Sequence, residues 1–229
     1  LAILWALYGP ILRFFSLQSI GPIEINFLGF LAGTVMLFAA YKLQKTKLEF
    51  PDKKEAKKLA LYAFGLCSAN LALFYAFNHT TLANTILLHY TGLFWASLCA
   101  VIFLKEKATK WKANSMALAI AGIATIFLPE LSFSEKYFLG NISALVSSFG
   151  YAAIIFASRT LKESDQKKTT FYATLFCTFI FAPLFLAFGK AESTMQVTSV
   201  LLYGAIYAPL ESILIIYGMA AVSIIPASL

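Results

Sequence analysis

One acidic residue lies far inside an apolar segment near the end of the chain. Glu211 is the only charged residue after Glu192, and Tyr203 and Tyr207 precede it at intervals of four. Residues four apart share one face of a helix, so the carboxylate and the two phenols form a single stripe. Such a stripe suits a cavity that binds a cation, an amino group or a proton. The alternative is a protonated Glu211 that hydrogen-bonds a neighbouring helix.

Other polar side chains also interrupt the apolar segments. His89 shares a helical stripe with Thr85, whereas Asn84 lies about 140° away around the same helix. We therefore expect one of His89 and Asn84 to line a pathway and the other to bond a neighbouring segment. For each candidate, packing or lipid exposure is the alternative role. The candidate binding residues are Glu211, His89, Asn84, Asn70, Tyr207, Trp5, Tyr8 and Tyr151.

The composition places the chain among the helical membrane proteins. Of the 229 residues, 60% are hydrophobic and 13% are charged, and the mean hydropathy is +0.77. Soluble domains are about 25% charged. The charges separate apolar segments of about 17–24 residues, the length that a helix needs to cross a bilayer. We predict an all-α polytopic fold with segments at 1–15, 21–41, 59–77, 81–104, 113–128, 139–161, 170–188, 197–219 and from 222 onward.

The net charge of +7 follows a membrane topology rather than a nucleic-acid-binding surface. Loops 42–58, 105–112 and 159–168 carry seven, four and four of the 18 basic residues. They alternate with loops that carry few basic residues, and cytoplasmic loops hold the excess of Lys and Arg. We therefore predict a multi-pass protein of the inner (plasma) membrane with a cytoplasmic N-terminus and no nucleic-acid partner.

The sequence offers little for other kinds of site. It contains no phosphate-binding loop and no nucleophile beside a base, and His79 and His89 are poorly spaced as a metal pair. We expect no metal, no cofactor and no enzymatic activity. Gly29 and Gly33 form a G-x-x-x-G pair, which we expect to let a neighbouring helix approach closely. Glu24, near the end of its segment, is expected at the membrane interface rather than buried.

A short internal similarity suggests a duplicated unit. Segments Tyr75–Leu87 and Tyr217–Leu229 share the order aromatic, small, large apolar, short turn, hydroxyl, apolar pair. The first turn falls on the outer side of the predicted topology and the second on the inner side. A repeated unit of five segments would therefore be inverted, as in many secondary transporters whose substrate site lies near mid-membrane.

Four motifs occur in order along the chain: Leu4-Trp5, the Tyr75–Thr85 turn and helix start, the Leu93–Glu106 helix that closes on an acidic residue, and Tyr217–Ser228. Together they resemble the EamA-type branch of the drug/metabolite transporter superfamily. The resemblance implies a ten-span fold of two inverted five-span halves (5+5) around a central cavity. Residues 1–132 would form the first repeat and residues 133–229 an incomplete second one. Gly92 stands roughly where family members often place a proline.

Both ends of the chain, at Leu1 and Leu229, fall inside apolar segments. We therefore expect a trimmed piece in which the ninth span is incomplete and the tenth is absent. No basic segment with a cleavage site precedes the first span, so no signal peptide is expected.

The expected function is secondary transport of small organic metabolites by alternating access, with amino acids, their derivatives and drug-like solutes as the solute class. The expected partners are the solute and the lipid bilayer, with a coupling proton as one use of Glu211; the oligomeric state stays open. The alternatives are an integral-membrane enzyme acting on lipid and a non-transporting membrane scaffold. The enzyme would need several acids or histidines at one membrane face, and a scaffold would leave buried Glu211 and His89 unexplained.

Overall fold

The computed structural model describes the chain as a set of long helices. It describes residues 19–45, 47–105, 134–161, 164–190 and 193–222, with side chains up to 217, and the separate positions 7, 10, 11, 14, 15, 110, 114, 117, 118, 121, 122, 124, 125, 128 and 131. The regular structure of these residues is helical throughout. The helices are α1 (Pro22–Leu43), α2 (Lys53–His79), α3 (Leu82–Tyr90), α4 (Gly92–Phe103), α5 (Phe138–Thr160), α6 (Gln166–Phe188) and α7 (Thr194–Val222).

Local chemistry explains where several helices begin. Pro22 opens α1, where its missing N–H is not needed. Asp52 precedes α2 and accepts two backbone N–H groups of the first turn at 2.8 and 2.7 Å. The two hydrogen bonds lower the pKa of the Asp52 carboxyl group, and the bond from the Glu55 N–H contributes most. Ser193 and Gln196 exchange side chain–backbone hydrogen bonds of 3.2 Å at the start of α7, which is a capping box.

Six helical segments of the described residues are long and apolar enough to cross a membrane. They are Pro22–Leu43, Lys53–His79, Leu82–Phe103, Glu135–Thr160, Gln166–Phe188 and Thr194–Tyr217. These segments confirm the predicted segments two, three, four, six, seven and eight as helices of membrane-spanning length. Predicted segments one and nine lie largely outside the described residues, and segment five is described only at separate positions. The ten-span arrangement therefore stays a prediction.

The placement of side chains suits a lipid environment. Large apolar residues such as Phe64, Phe138 and Leu202 are exposed, whereas Asn84 and Thr170 are fully buried. A bilayer solvates the apolar surface, and polar groups inside it must find partners within the protein. The protein is thus a multi-pass membrane protein.

Two compact units make up the chain. The first unit comprises residues 1–67 and 157–229, and the second unit comprises residues 68–156. In the first unit, α1 packs mainly against α7 and α6. The second unit holds the end of α2, helices α3 and α4, and most of α5. The predicted repeats, residues 1–132 and 133–229, stay predictions.

Glycines bring α1 and α7 into close contact in the first unit. A Cβ atom placed on Gly204 would overlap the backbone of Gly29. A Cβ atom on Gly33 would lie 3.0 Å from the Cβ of Ala208 and 3.3 Å from the carbonyl oxygen of Gly204. The close approach predicted from the Gly29 and Gly33 spacing is therefore confirmed.

The predicted fourth segment is interrupted at one residue. Helix α3 ends at Tyr90 and α4 begins at Gly92, with Thr91 between them. The Thr91 hydroxyl donates to the Leu88 carbonyl oxygen at 2.6 Å. A Cβ on Gly92 would lie 2.5 Å from the Ser148 carbonyl oxygen, so glycine lets α5 approach the break. The break thus occurs without a proline.

Glu24 is buried, which corrects the expectation of an interfacial side chain. Its exposed fraction is 7%, and its Oε1 atom accepts the backbone N–H of Lys190 at 2.6 Å. The segment that follows α6 lies over the start of α1. Glu24 therefore satisfies a backbone donor that would otherwise have no partner in this connection.

Candidate functional site

Glu211 is buried in the first unit, among side chains from three helices. Its exposed fraction is 8%, and the adjacent Ser212 is fully buried. Tyr62 of α2 and Cys177 of α6 lie close enough to interact electrostatically with the Glu211 carboxylate. Cys67 of α2 adjoins Cys177. A carboxylate in this setting can bind a proton or the cationic group of a ligand.

Hydroxyl groups continue the polar interior between α1 and α6. The hydroxyls of Thr34 and Thr178 are 3.3 Å apart. Thr178 also donates to the Thr174 carbonyl oxygen at 3.0 Å. Because a threonine hydroxyl has one hydrogen, Thr34 is the donor of the bond between the helices.

Aromatic rings accompany Glu211 along α7. Tyr203 and Tyr207 stack with their ring centroids 4.8 Å apart, and Phe15 meets Tyr203 edge-on at 5.4 Å. Tyr207 is buried. Gly204, which shares the face of Glu211 at a spacing of seven, packs instead on Gly29 of α1. That part of the face is therefore a contact between helices rather than cavity lining.

Pro209 interrupts the backbone hydrogen bonds of α7 just before Glu211. A proline has no N–H, so the carbonyl of Ala205 lacks its usual helical donor. Discontinuous helices carry the substrate and ion sites of many secondary transporters. The buried carboxylate thus lies beside the weakest turn of its helix.

In the second unit, Asn84 joins a three-residue polar network. Its Nδ2 atom donates to the Asn141 Oδ1 at 2.7 Å and to the Thr80 Oγ1 at 3.1 Å. Thr80 in turn donates to the same Asn141 oxygen at 2.6 Å. Asn84 is fully buried. These bonds hold the start of α3 against the start of α5, which is a packing role.

His89 hydrogen-bonds the same helix farther along. Its Nδ1 atom lies 2.9 Å from the Ser147 Oγ, and its ring stacks on Tyr151 with centroids 5.0 Å apart. Ser147 donates its only hydrogen to the Ala144 carbonyl oxygen at 2.6 Å. Ser147 can therefore only accept from His89, so Nδ1 carries a hydrogen. In the neutral ring, Nε2 then keeps a lone pair that can accept a hydrogen bond.

A comparison with models of protein families identifies the family of the chain. A family model described as the EamA-like transporter family matches residues 1–128, which is more than half of the chain. The chain belongs to the EamA-like transporter family. The resemblance indicated by the ordered motifs is thereby confirmed.

Individual proteins are similar to this EamA-like chain at low identity. Solute carrier family 35 member G1 of Mus musculus is 23% identical over 168 residues, which cover 70% of this chain and 45% of that protein. The chain thus spans about half the length of that relative. A solved structure described only as the crystal structure of a protein aligns with a TM-score of 0.71 at 16% identity, over 88% of this chain and 72% of the other. At that identity the likeness concerns the fold alone.

The structure of the EamA-like protein divides the candidate residues between its two units. Glu211 and Tyr207 lie in the first unit, and the second unit contains Asn70, Asn84, His89 and Tyr151. Asn70 is buried. Trp5 and Tyr8 lie outside the described residues. Their proposed role in binding stays a prediction.

Asn84 and His89 differ from the expectation that only one of them bonds a neighbouring segment. Both hydrogen-bond α5, through Asn141 and Ser147 respectively. The order of these pairs shows that α3 and α5 run parallel. Parallel directions are those predicted for segments four and six of an alternating topology.

Sequence reasoning missed several residues that face these candidates. Ser212 follows Glu211 directly, and that adjacency was the available signal. Tyr62 is one of 11 tyrosines, and nothing in its spacing connects α2 with Glu211. Asn141 is a polar residue near the start of an apolar segment, and the same signal that identified Asn84 could have identified it. Ser147 was visible only as part of a small-residue face.

Proposed function

We propose that this EamA-like protein is a secondary transporter that moves small organic metabolites across the membrane by alternating access. The solute class comprises amino acids, their derivatives and drug-like solutes. The observation that carries the proposal is Glu211, buried beside Tyr62 and Ser212 within a membrane unit of this family. The family match favours a transporter over an enzyme acting on lipid.

The energetic cost of Glu211 supports a functional role. A charged side chain at the centre of a membrane helix costs about 2.5–3.5 kcal/mol on insertion scales. Intramembrane acidic residues that face the protein interior usually mark substrate or proton pathways. Glu211 binds either a cationic group of the solute or a coupling proton, and each use exploits its negative charge.

Two interruptions give the helices places to bend during alternating access. Thr91 separates α3 from α4, and Pro209 removes one backbone bond from α7. Hinges are usually a few residues that absorb changes of backbone angle. The close contact between Gly29 and Gly204 keeps α1 and α7 together on the N-terminal side of Pro209.

The distribution of basic residues and the family support one membrane arrangement for the proposed transporter. The basic loops lie in the cytoplasm, the N-terminus is cytoplasmic, and the membrane is the inner (plasma) membrane. Two inverted halves of five spans form the complete transporter, with a site near mid-membrane.

A binding screen on the complete protein tests the proposal. A specific ligand raises the unfolding temperature, by the equivalent of about 2.7 kcal/mol at 100 times its Kd. We expect members of a panel of metabolites to stabilise the purified protein, and the same members to enter protein-containing liposomes. Glu49→Gln, at an exposed position, is the control for Glu211→Gln. A panel without one stabilising or transported solute would contradict the proposal.

A further inference from the structure

Two buried hydroxyl groups beside Glu211 have no hydrogen-bond partner among the described residues. Both Tyr62 and Ser212 have an exposed fraction of 0%. The two hydroxyls adjoin each other without the geometry of a hydrogen bond, and neither bonds another described atom. Buried polar groups are normally satisfied, so two neighbouring exceptions call for an explanation.

The two hydroxyls belong to different helices but to one cluster. Tyr62 comes from α2 and Ser212 from α7, and the Tyr62 phenol lies within electrostatic range of the Glu211 carboxylate. The cluster thus presents one carboxylate and two neutral oxygens that can accept hydrogen bonds. A group that satisfies the two hydroxyl oxygens and matches the charge of the carboxylate must bring positive charge and several donors.

We propose that Glu211, Tyr62 and Ser212 recognise the primary ammonium group of the transported solute. This inference rests on the proposed transport function and names the chemistry of its solute. A primary ammonium has three N–H donors, one for the carboxylate and one for each hydroxyl oxygen. Each hydroxyl hydrogen stays free to rotate toward a neighbouring acceptor.

The same site discriminates against cations that lack N–H groups. A quaternary ammonium carries the same charge and can meet the Glu211 carboxylate. It would nevertheless leave both hydroxyls unsatisfied. Sites built to donate or accept hydrogen bonds reject analogues that lack the matching group. Charge alone therefore does not determine the selectivity.

A matched pair of ligands separates the contributions of charge and of hydrogen bonding. The probes are 2-phenylethylamine and its N,N,N-trimethyl derivative, with binding to the complete protein in lipid nanodiscs followed by thermal unfolding. We expect the primary amine to bind about tenfold more tightly or better, because hydrogen bonds to charged groups are strong. Tyr62→Phe and Ser212→Ala should each weaken the primary amine by about tenfold and leave the quaternary ion unchanged.

Control variants come from other positions in helices of the first unit. Ser199 lies on α7 and donates within its own helix at 2.8 Å, and Tyr172 on α6 packs against Phe50. Ser199→Ala and Tyr172→Phe should leave both affinities at the wild-type value. Where Tyr62→Phe fails to fold, Ser212→Ala and the ligand pair on the wild-type protein carry the test.

Equal affinity for the two probes would overturn the inference, and so would an unchanged affinity for the amine in Tyr62→Phe and Ser212→Ala. Failure of both probes to bind would also overturn it. If another solute then stabilises the protein and is transported, the ammonium site is wrong while the transport function stands. If no solute does, both proposals are wrong.

Discussion

Two glutamates are buried in the first unit for different reasons. Glu24 lies near the start of α1 and accepts the backbone N–H of Lys190 at 2.6 Å, which is a structural use of a carboxylate. Glu211 lies far from both ends of α7, between side chains of α2 and α6. The position along the helix, more than burial itself, separates the structural acid from the candidate binding residue.

The structural role of Glu24 predicts a loss of stability on truncation. Glu24→Ala removes the acceptor of this part-buried hydrogen bond from the Lys190 N–H, which should lower the free energy of unfolding by about 0.5–1.5 kcal/mol. Glu24→Gln keeps an acceptor oxygen and should lose less. Denaturation in detergent measures the effect, with exposed Glu135→Ala as the control. A Glu24→Ala protein as stable as that control would refute the role.

The hydrogen bond of His89 predicts a defined tautomer. Because Ser147 gives its hydrogen to Ala144, the neutral imidazole should carry its hydrogen on Nδ1 and a bare lone pair on Nε2. The chain has two histidines, so His79→Gln leaves one to observe. Nitrogen-15 spectra of that variant should show the Nδ1-protonated form. A ring protonated on Nε2 would show that the bond has been assigned in the wrong direction.

At the scale of helices, the contact between α1 and α7 depends on the absence of side chains. Gly204→Ala places a methyl group into the backbone of Gly29, and α1 and α7 must then move apart. Overpacking of this kind should cost about 1–3 kcal/mol or more in unfolding free energy. At Gly122, by contrast, an added Cβ meets no atom within 4 Å. Gly122→Ala is thus the matched control, and equal unfolding temperatures for the two variants would disprove the contact.

The pair of asparagines that links α3 to α5 should show energetic coupling. Asn84→Ala and Asn141→Ala each remove the same bond of 2.7 Å between the two amides. Their combined effect should therefore be smaller than the sum, with a coupling of about 0.5–3 kcal/mol. A double-mutant cycle on the free energy of unfolding measures it. Strict additivity would mean that the two amides do not interact in the protein.

Helix positions were predictable where the signal lies within one segment. The lengths of the apolar segments predicted six helices, and the spacing of Gly29 and Gly33 predicted a closely packed neighbouring helix. The neighbour itself was not predictable, because a spacing identifies a face and not the helix that covers it. The break at Thr91 also escaped prediction, since a Thr-Gly step lacks the steric signal of proline.

At the scale of the whole molecule, the arrangement of surface and interior agrees with a membrane transporter. Apolar side chains such as Phe64 and Leu202 are exposed, while hydroxyls, amides and Glu211 are buried. The sequence predicted the class from composition, but not the partners of Glu211. Tyr62 is 149 positions from Glu211 in the sequence, and only folding brings α2 and α7 together. The sequence therefore identified Glu211 as a candidate, whereas its neighbour Tyr62 could be identified only from the structure.

Transport by the complete protein in liposomes tests the central role of Glu211 most directly. With a solute that stabilises the wild-type protein, Glu211→Gln should reduce the initial uptake rate by about tenfold or more, since it removes the charge that binds the cation or proton. Glu49→Gln should transport at the wild-type rate. If Glu211→Gln transports as fast as the wild-type protein, with the same dependence on pH, Glu211 has no part in transport.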